Sequence, residues 1–375
     1  MHSGSAAATR VSSYDASENS VDIPKLQIGS ITAEVPIIQG GMGVKVSLAS
    51  LAAAVANEGG IGTIASVGLG DMHTTREDYE GVSSEAIAEE IRKARSATHG
   101  PIAVNVMSVL SNAETLIQTS VREGVKMVVV GAGLPLKLPA MVEDDSVNLV
   151  PIVSSGRAAA LILRTWEKRY GRTAQAVILE GPLAGGHLGF SEEELSRAED
   201  FSLERLLPET LDALKPFEDA FSVKIPVIAA GGIYTGHDIA RMLSLGASGV
   251  QMATRFVCTR ECGVSDAFKQ AYLDASEDDI VIIKSPVGIP GRAVRNRFLE
   301  RLDRGEPIPI NCPYKCLSTC KIYDSRYCIA NALLNAYDGD MENGLVFAGH
   351  NVSRVHEILT VKELIDSLLD ELRAA

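Results

Sequence analysis

Basic residues are in short supply in this chain, and so are long apolar runs. Its 375 residues include 48 acidic and 35 basic side chains, for a net charge of −13. Nucleic acids and anionic membranes bind to basic protein surfaces, whereas this chain has an excess of acidic residues. No apolar run reaches the length needed to cross a bilayer. The composition therefore argues against a nucleic-acid partner and against a membrane partner.

Cysteine is absent from the first two thirds of the chain, and all six cysteines follow residue 257. The N-terminal stretch 1–22 is small and polar and lacks the apolar core of a signal peptide. We expect it to be a disordered leader. A chain without a secretion signal is expected to be cytoplasmic, where disulfides are uncommon.

Short apolar runs alternate with amphipathic, helix-like segments through most of the chain. Strands that alternate with helices form parallel βαβ units, and eight such units form a (β/α)₈ TIM barrel. A doubly wound sheet is the alternative, but it usually places its phosphate loop after the first strand, whereas the glycine pairs here come late. The predicted strands are 35–39, 61–65, 102–106, 127–130, 149–153, 176–179, 227–230 and 249–252.

The regular alternation stops near Cys262, and this change suggests the domain organisation. We expect an α/β barrel over 23–262 and a smaller cap, which carries a cysteine cluster, inserted after strand eight over 263–335. The segment 336–375 ends in a run with apolar residues at helical spacing, which predicts a C-terminal helix that packs back on the barrel.

One histidine lies among glycines directly after the sixth predicted strand. His187 follows Gly186 in the segment Glu180–Gly189. Histidine titrates near neutral pH, and catalytic groups of barrel enzymes lie at the carboxyl ends of the strands. The residues alone leave two interpretations open, a catalytic histidine and an ordinary turn histidine.

Glycine-rich turns follow several other strands. Gly231 and Gly232 follow strand seven and Thr254 follows strand eight, where barrel enzymes often bind phosphate. Gly40 and Gly41 follow strand one, and Gly131 ends strand four, which suggests a flat ligand against bare backbone. Asn105 is a polar residue inside an apolar run, so it either contacts a heterocycle or bonds the next strand. Together these features favour FMN over a dinucleotide.

Six motifs occur in one order, from Gln-Gly-Gly-Met-Gly at 39–43 to Gln-Met-x-Thr-Arg-Phe at 251–256. In this order they resemble the nitronate monooxygenase family, which includes FMN-dependent enoyl-ACP reductases. The resemblance implies an FMN-bearing barrel with His187 as the active-site histidine. Ala253 stands where the family often has glycine. The implied cofactor-binding residues are Gln39, Gly40, Gly41, Met42, Asn105, Gly131, Gly186, Gly231, Gly232, Gln251, Ala253 and Thr254.

The segment 288–296 resembles the cap-region turn of the same family. Its residues Arg292 and Arg295 either pair with substrate charge or lie on the surface.

Four cysteines of the cap are closely spaced: Cys312, Cys316, Cys320 and Cys328. If the first three lie on a helix, their spacing of four places the sulfurs on one face. Four thiolates can hold an iron–sulfur cluster or zinc. The alternative is that they are free cysteines that pack as small apolar side chains.

The resemblance implies oxidation of alkyl nitronates with O₂ to a carbonyl compound and nitrite. An NAD(P)H-dependent flavin reductase of enoyl-ACP or quinone type is the alternative, and a metal- or redox-sensing protein on a vestigial barrel is a third interpretation. We expect a small-molecule substrate, and the sequence leaves a homo-oligomer open.

Overall fold

A computed structural model describes residues 23–71, 74–312 and 315–375. The predicted leader 1–22 therefore lies outside the described residues. The strands are β1 (Leu26–Ile28), β2 (Ile31–Ala33), β3 (Ile37–Gln39), β4 (Gly62–Ala65), β5 (Ile102–Met107), β6 (Met127–Gly131), β7 (Asn148–Val153), β8 (Val177–Glu180), β9 (Gly186–His187), β10 (Val227–Ala230), β11 (Gly249–Met252), β12 (Ile280–Lys284) and β13 (Pro290–Val294).

The helices connect the barrel strands and extend beyond them toward the C-terminus. They are α1 (Ala49–Asn57), α2 (Arg76–Ala97), α3 (Ala113–Arg122), α4 (Leu138–Met141), α5 (Gly156–Tyr170), α6 (Glu192–Ser196), α7 (Leu203–Phe221), α8 (Gly236–Ser244), α9 (Thr254–Val257), α10 (Asp266–Leu273), α11 (Arg297–Asp303), α12 (Ile329–Asp338) and α13 (Val361–Arg373). None of those in the described ranges is both long and apolar enough to span a membrane.

Eight parallel strands form the predicted barrel. Their order is β3-β11-β10-β8-β7-β6-β5-β4, and a parallel bridge between Ile38 and Ile61 closes the ring between β3 and the start of β4. All eight predicted strands are confirmed, with ends that shift by at most two residues. The TIM-barrel prediction is therefore confirmed.

Alternate residues of each strand pack on opposite sides of the barrel wall. Ile38, Val129 and Ile178 belong to the inner apolar cluster, whereas their neighbours Val128 and Val177 belong to the outer cluster beneath the helices. This alternation follows from the two-residue period of a strand. It explains why the strands read as continuous apolar runs.

The β1–β2 hairpin contributes Leu26 and Ile28 to the inner cluster, and both are fully buried. The hairpin precedes the amino end of β3 in the chain. The opposite rim, at the carboxyl ends of the strands, carries the loops that the sequence singled out.

Residues after β11 build a second layer on the barrel. The hairpin of β12 and β13 pairs antiparallel with the two-residue strand β9, so that Gly291 lies opposite His187. At the far end of the chain, α13 is the predicted C-terminal helix, and it packs against α8 and α1.

The cysteine segment is not helical in the described residues, so the helical stacking of its sulfurs is wrong. Lys315 has a φ of +48°, which an α-helix does not accommodate. Leu317 forms a bridge to Leu110 in the loop after β5, and a turn follows it at 318–319.

Helix α5 shows how local signals and packing combine. The Ser155 hydroxyl accepts the N–H of Ala158 at the start of the helix, and Gly171 ends it with a left-handed conformation. Trp166 is fully buried on its inner face and donates its ring N–H to the carbonyl of Pro135 at 2.9 Å.

We expect Trp166→Ala to lower the free energy of unfolding by about 3–5 kcal/mol, because it leaves a large cavity and an unpaired carbonyl. Denaturant titration followed by circular dichroism measures this. Leu161→Ala on the same helix is the matched control, since Leu161 is 46% exposed and we expect a change within about 0.5 kcal/mol. Equal losses at the two positions would contradict the assignment of the buried face.

Candidate functional site

A cavity of about 270 Å³ opens at the carboxyl ends of the barrel strands. Its floor consists of the loops that follow β3, β8, β10 and β11, and its walls include Phe268, Tyr272, Leu333 and Phe347 from the residues after the barrel. A mostly apolar pocket with a few polar groups at the carboxyl face is the usual site of a barrel enzyme.

Most of the predicted site residues meet at this cavity. Those that line it are Gly41, Met42, Asn105, Gly131, Gly186, His187, Gly231, Gly232, Gln251, Ala253 and Thr254. They come from loops that are far apart in the chain, and the barrel brings them together. As contacts to a flavin they stay predictions.

Gln39 and Gly40 are not among the residues that line the cavity, and as cofactor contacts they stay predictions. The Gln39 side chain is fully buried, accepts the backbone N–H of Thr63 at 3.0 Å and donates to the carbonyl of Gly40. The N–H of Gly40 donates to Met252 at 2.8 Å. Both residues therefore join β3 to its neighbours β4 and β11.

Two features of the cavity fit a flat heterocycle. A Cβ at Gly41 would overlap the Asn105 side chain, so this part of the wall has to be bare backbone. The side-chain oxygen Oε1 of Gln251 is buried and has no hydrogen-bond partner among the described residues. A buried acceptor without a partner costs free energy, and a ring N–H of FMN would supply one.

The end of the cavity where the sequence predicts phosphate binding is formed by backbone. Gly231 and Gly232 have φ values of +90° and +80°, which favour glycine and turn the chain sharply after β10. The N–H of Gly236, at the start of α8, donates to the Glu371 carboxylate at 2.6 Å. Because α8 is capped in this way, a phosphate would be held by the glycine turn and Thr254.

His187 stands on β9, on the wall of the cavity. Its Nε2 lies 2.6 Å from the Ser285 hydroxyl oxygen, and its ring packs edge-on against Phe347 with centroids 5.0 Å apart. Burial lowers the pKa of His187 to about 4. The imidazole is therefore uncharged at neutral pH and is able to accept a proton.

Glu180, at the end of β8, is a site residue that sequence reasoning missed. It lines the same cavity, and burial raises the pKa of its carboxyl to about 7. A carboxylate that ends an apolar strand at the catalytic rim was the available signal.

The sequence left two interpretations of Arg292 open, pairing with substrate charge and a position on the surface, and the structure corresponds to neither. Arg292 is 5% exposed, and its Nη1 donates to the carbonyls of Pro182, at 2.7 Å, and of Ala184. It therefore fastens the loop that leads to His187. Arg295 is an exposed surface residue that pairs with Asp303.

The four cap cysteines lie close to this site. Cys316 lines the large cavity, and all four line a smaller one of about 20 Å³. Within the described ranges, no three His, Cys, Asp or Glu side chains are already arranged as metal ligands. The metal site therefore stays a prediction. Cys258 and Cys262 are buried in the outer apolar cluster.

The relatives that resemble this chain in sequence have two different functional names. A (3aS,4S,5R,7aS)-5-hydroxy-7a-methyl-1-oxo-octahydro-1H-indene-4-carboxyl-CoA dehydrogenase of Mycobacterium tuberculosis is 31% identical over 73% of this chain and 67% of that protein. The chain thus spans about two thirds of that relative. A probable nitronate monooxygenase of Staphylococcus aureus is 26% identical over 74% of this chain and 79% of that protein.

Solved structures agree with the fold. FabK from Thermotoga maritima superposes with a TM-score of 0.69 at 28% identity and covers 91% of this chain and 94% of that one. Nitroalkane oxidase from Streptomyces ansochromogenes also gives 0.69, at 24% identity, over 91% of this chain and 96% of that one.

The sequence profile of the family described as nitronate monooxygenase matches residues 25–371, nearly the whole described barrel and its additions. That extent confirms the resemblance drawn from the six motifs, and it makes the chain an enzyme of the flavin-dependent oxidoreductase type. This protein belongs to the nitronate monooxygenase family.

Proposed function

We propose that the protein binds FMN and oxidises alkyl nitronates, and the nitroalkanes from which they form, to a carbonyl compound and nitrite with O₂. The observation that carries the proposal is a buried, neutral His187 on the wall of the cavity. An uncharged imidazole has a free nitrogen lone pair, which is what taking the α-proton of a neutral nitroalkane requires. A pKa near 4 argues against the alternative role of a hydrogen-bonding cation.

The protein and its cofactor would have different roles in the reaction. FMN, when bound, takes up the electrons of the substrate and passes them to oxygen. Gly41, Asn105 and Gln251 would hold the flavin ring, and Gly231, Gly232 and Thr254 would hold its phosphate. The apolar wall around Phe347 and Tyr272 would exclude water from the reacting groups.

Glu180 adds a pH-dependent charge to this site. Its carboxyl is neutral below its pKa of about 7 and becomes negative above it. A nitronate is an anion, so the neutral carboxyl admits it and the ionised one repels it. The charge of Glu180 would therefore limit nitronate oxidation at alkaline pH.

A second candidate is an NAD(P)H-dependent reductase or dehydrogenase of an acyl thioester. The 31% identity to a carboxyl-CoA dehydrogenase and the 28% identity to FabK favour it. In a reductase His187 would have to donate a proton; its pKa of about 4 disfavours proton donation and proton abstraction alike at neutral pH, so the anaerobic test below decides between the two candidates.

We expect His187→Ala to keep its flavin but to lose about 10²–10⁴-fold in kcat/KM with a neutral nitroalkane, because the base is gone. With the preformed nitronate, which has already lost that proton, the expected loss is below about 10-fold. Stopped-flow and steady-state assays with both substrate forms measure the two effects.

The control is His237→Ala, which removes an exposed imidazole on α8 and should leave both rates unchanged. Equal losses of His187→Ala with the nitroalkane and the nitronate would contradict the role of His187 as the base.

We expect kcat/KM for a nitronate to fall as pH rises through about 7, because Glu180 then ionises. Glu180→Gln stays neutral, so its profile should be flat through this range. Glu193→Gln, whose side chain is 83% exposed, is the matched control and should keep the decline. A decline that persists unchanged in Glu180→Gln would show that another group titrates.

The two candidate functions differ in the electron donor, and an anaerobic visible spectrum separates them. We expect the bound flavin to stay oxidised when NADH or NADPH is added and to bleach when a nitroalkane is added. Rapid bleaching by either nicotinamide would overturn the first candidate in favour of the second.

A further inference from the structure

The imidazole of His187 is held at one of its two ring nitrogens. Nε2 lies 2.6 Å from the Ser285 hydroxyl oxygen, whereas Nδ1 has no hydrogen-bond partner among the residues that the structure describes. His187 lines the large cavity, but Ser285 is 8% exposed and is not among the residues that line it. Because the two nitrogens of an imidazole point in different directions, Nδ1 is the one left for a bound molecule.

The Ser285 hydroxyl is itself fixed by the turn between β12 and β13. Its oxygen accepts the backbone N–H of Val287 at 3.2 Å. The N–H of Gly288 donates to the Ser285 carbonyl at 3.0 Å and closes the turn. A serine that accepts the N–H two residues ahead is a common feature of turns. The position of the oxygen is therefore set by the hairpin and does not depend on a ligand.

The rest of His187 is fixed to the same hairpin and to one aromatic ring. Gly291 lies opposite His187 in the pairing of β13 with β9, and the N–H of Leu188 donates to Pro290 at 2.9 Å. Phe347 packs edge-on against the imidazole with centroids 5.0 Å apart. A half-turn of the imidazole about its Cβ–Cγ bond would break the bond at Nε2 and place a carbon there instead.

A hydroxyl suits a ring that changes its protonation state. A serine oxygen is able to accept two hydrogen bonds and to donate one, so it pairs with Nε2 whether that nitrogen carries a hydrogen or a lone pair. Burial disfavours the imidazolium form of His187, which carries a hydrogen on both nitrogens. When the imidazolium forms, Ser285 accepts the Nε2 hydrogen and stabilises the buried charge at that nitrogen.

The charged side chains near the His187 ring have other roles. Arg292 donates to the carbonyls of the loop after β8. Lys284 pairs with Glu192 at 3.7 Å, and its side chain is 86% exposed. Glu180 lines the same cavity, but burial is the cause of its pKa shift and of that of His187, so neither group stabilises the charge of the other. The hydroxyl is therefore the group that supports the ring.

We propose that Ser285 is a positioning residue for His187: it holds Nε2, so that His187 exchanges protons with the bound molecule through Nδ1. The inference rests on the proposed function, in which that molecule is a nitroalkane. The α C–H bond of the nitroalkane breaks, its electron pair stays on the molecule and forms the nitronate, and the proton passes to Nδ1. The Nε2 hydrogen of the resulting imidazolium is donated to the Ser285 oxygen. No group is oxidised or reduced in this step.

Alkylation identifies the open ring nitrogen without any turnover. Iodoacetamide reacts with an unprotonated imidazole nitrogen, and acid hydrolysis of the isolated His187 peptide yields two carboxymethylhistidine isomers that chromatography separates. In the full-length wild-type protein we expect the Nδ1 isomer. In Ser285→Ala, Nε2 is uncovered and the ring is freer to turn, so we expect both isomers. A mainly Nε2 product in the wild type, or one isomer ratio for both proteins, would overturn the proposal.

Kinetics of the flavin-loaded protein test the same role. We expect Ser285→Ala to lower kcat/KM for a neutral nitroalkane by about 10- to 100-fold, because a hydrogen bond to the charged ring is lost. The rate with the preformed nitronate should stay near that of the wild type, since no proton is taken from it. In a His187→Ala background the serine substitution should cause no further loss. Additive losses, or equal losses with both substrate forms, would overturn the proposal in favour of a general structural role.

The matched control is Ser244→Ala, which removes an exposed hydroxyl that bonds to the carbonyl of Arg241 on its own helix. It should leave the isomer ratio and both rates unchanged. The two experiments also separate this inference from the proposed function. A wild-type protein that does not oxidise nitroalkanes would overturn the proposed function, whereas the isomer ratio would still decide whether Ser285 holds Nε2.

Discussion

The position of His187 depends on the contacts between its loop and the β12–β13 hairpin. The loop after β8 is rich in glycine and would be mobile on its own, because glycine loses the most conformational freedom on folding. Strand β13 pairs with β9, and the buried Arg292 donates to the carbonyls of Pro182 and Ala184. Burial lowers the pKa of Arg292 to about 10, so the side chain is still charged at neutral pH. Its charge is met by carbonyl dipoles that only the folded loop presents.

The same closure sets the protonation of the two titratable groups at the cavity. Burial disfavours the charged form of each, so it lowers the pKa of His187 and raises that of Glu180. Near neutral pH the imidazole is uncharged and the carboxyl is close to its midpoint. Near neutral pH the cavity therefore presents one uncharged imidazole and one half-ionised carboxyl to whatever it binds.

Local patterns were sufficient to predict the barrel and much of the site. Apolar runs of four to six residues predicted all eight strands, and glycines at strand ends predicted the cavity loops around His187 and Gly231. Contacts distant in sequence were out of reach. Ser285 meets His187 across 98 residues, and Arg292 meets Ala184 across 108. The bond between the Gln39 side chain and the N–H of Thr63 was also out of reach, because a motif does not tell which of its side chains serve the strand pairing.

The cysteines show the opposite case, in which spacing suggested the wrong local structure but the right group of residues. Spacing of four predicts one helical face, yet the positive φ of Lys315 turns the chain, and the turn together with the start of α12 brings the sulfurs to one space. Because Cys316 faces both cavities, that space adjoins the proposed flavin site. The residues that close the cavity thus come from the segment after the barrel. A change in that segment would alter the shape of the cavity, and with it the substrate specificity, without changing the barrel floor.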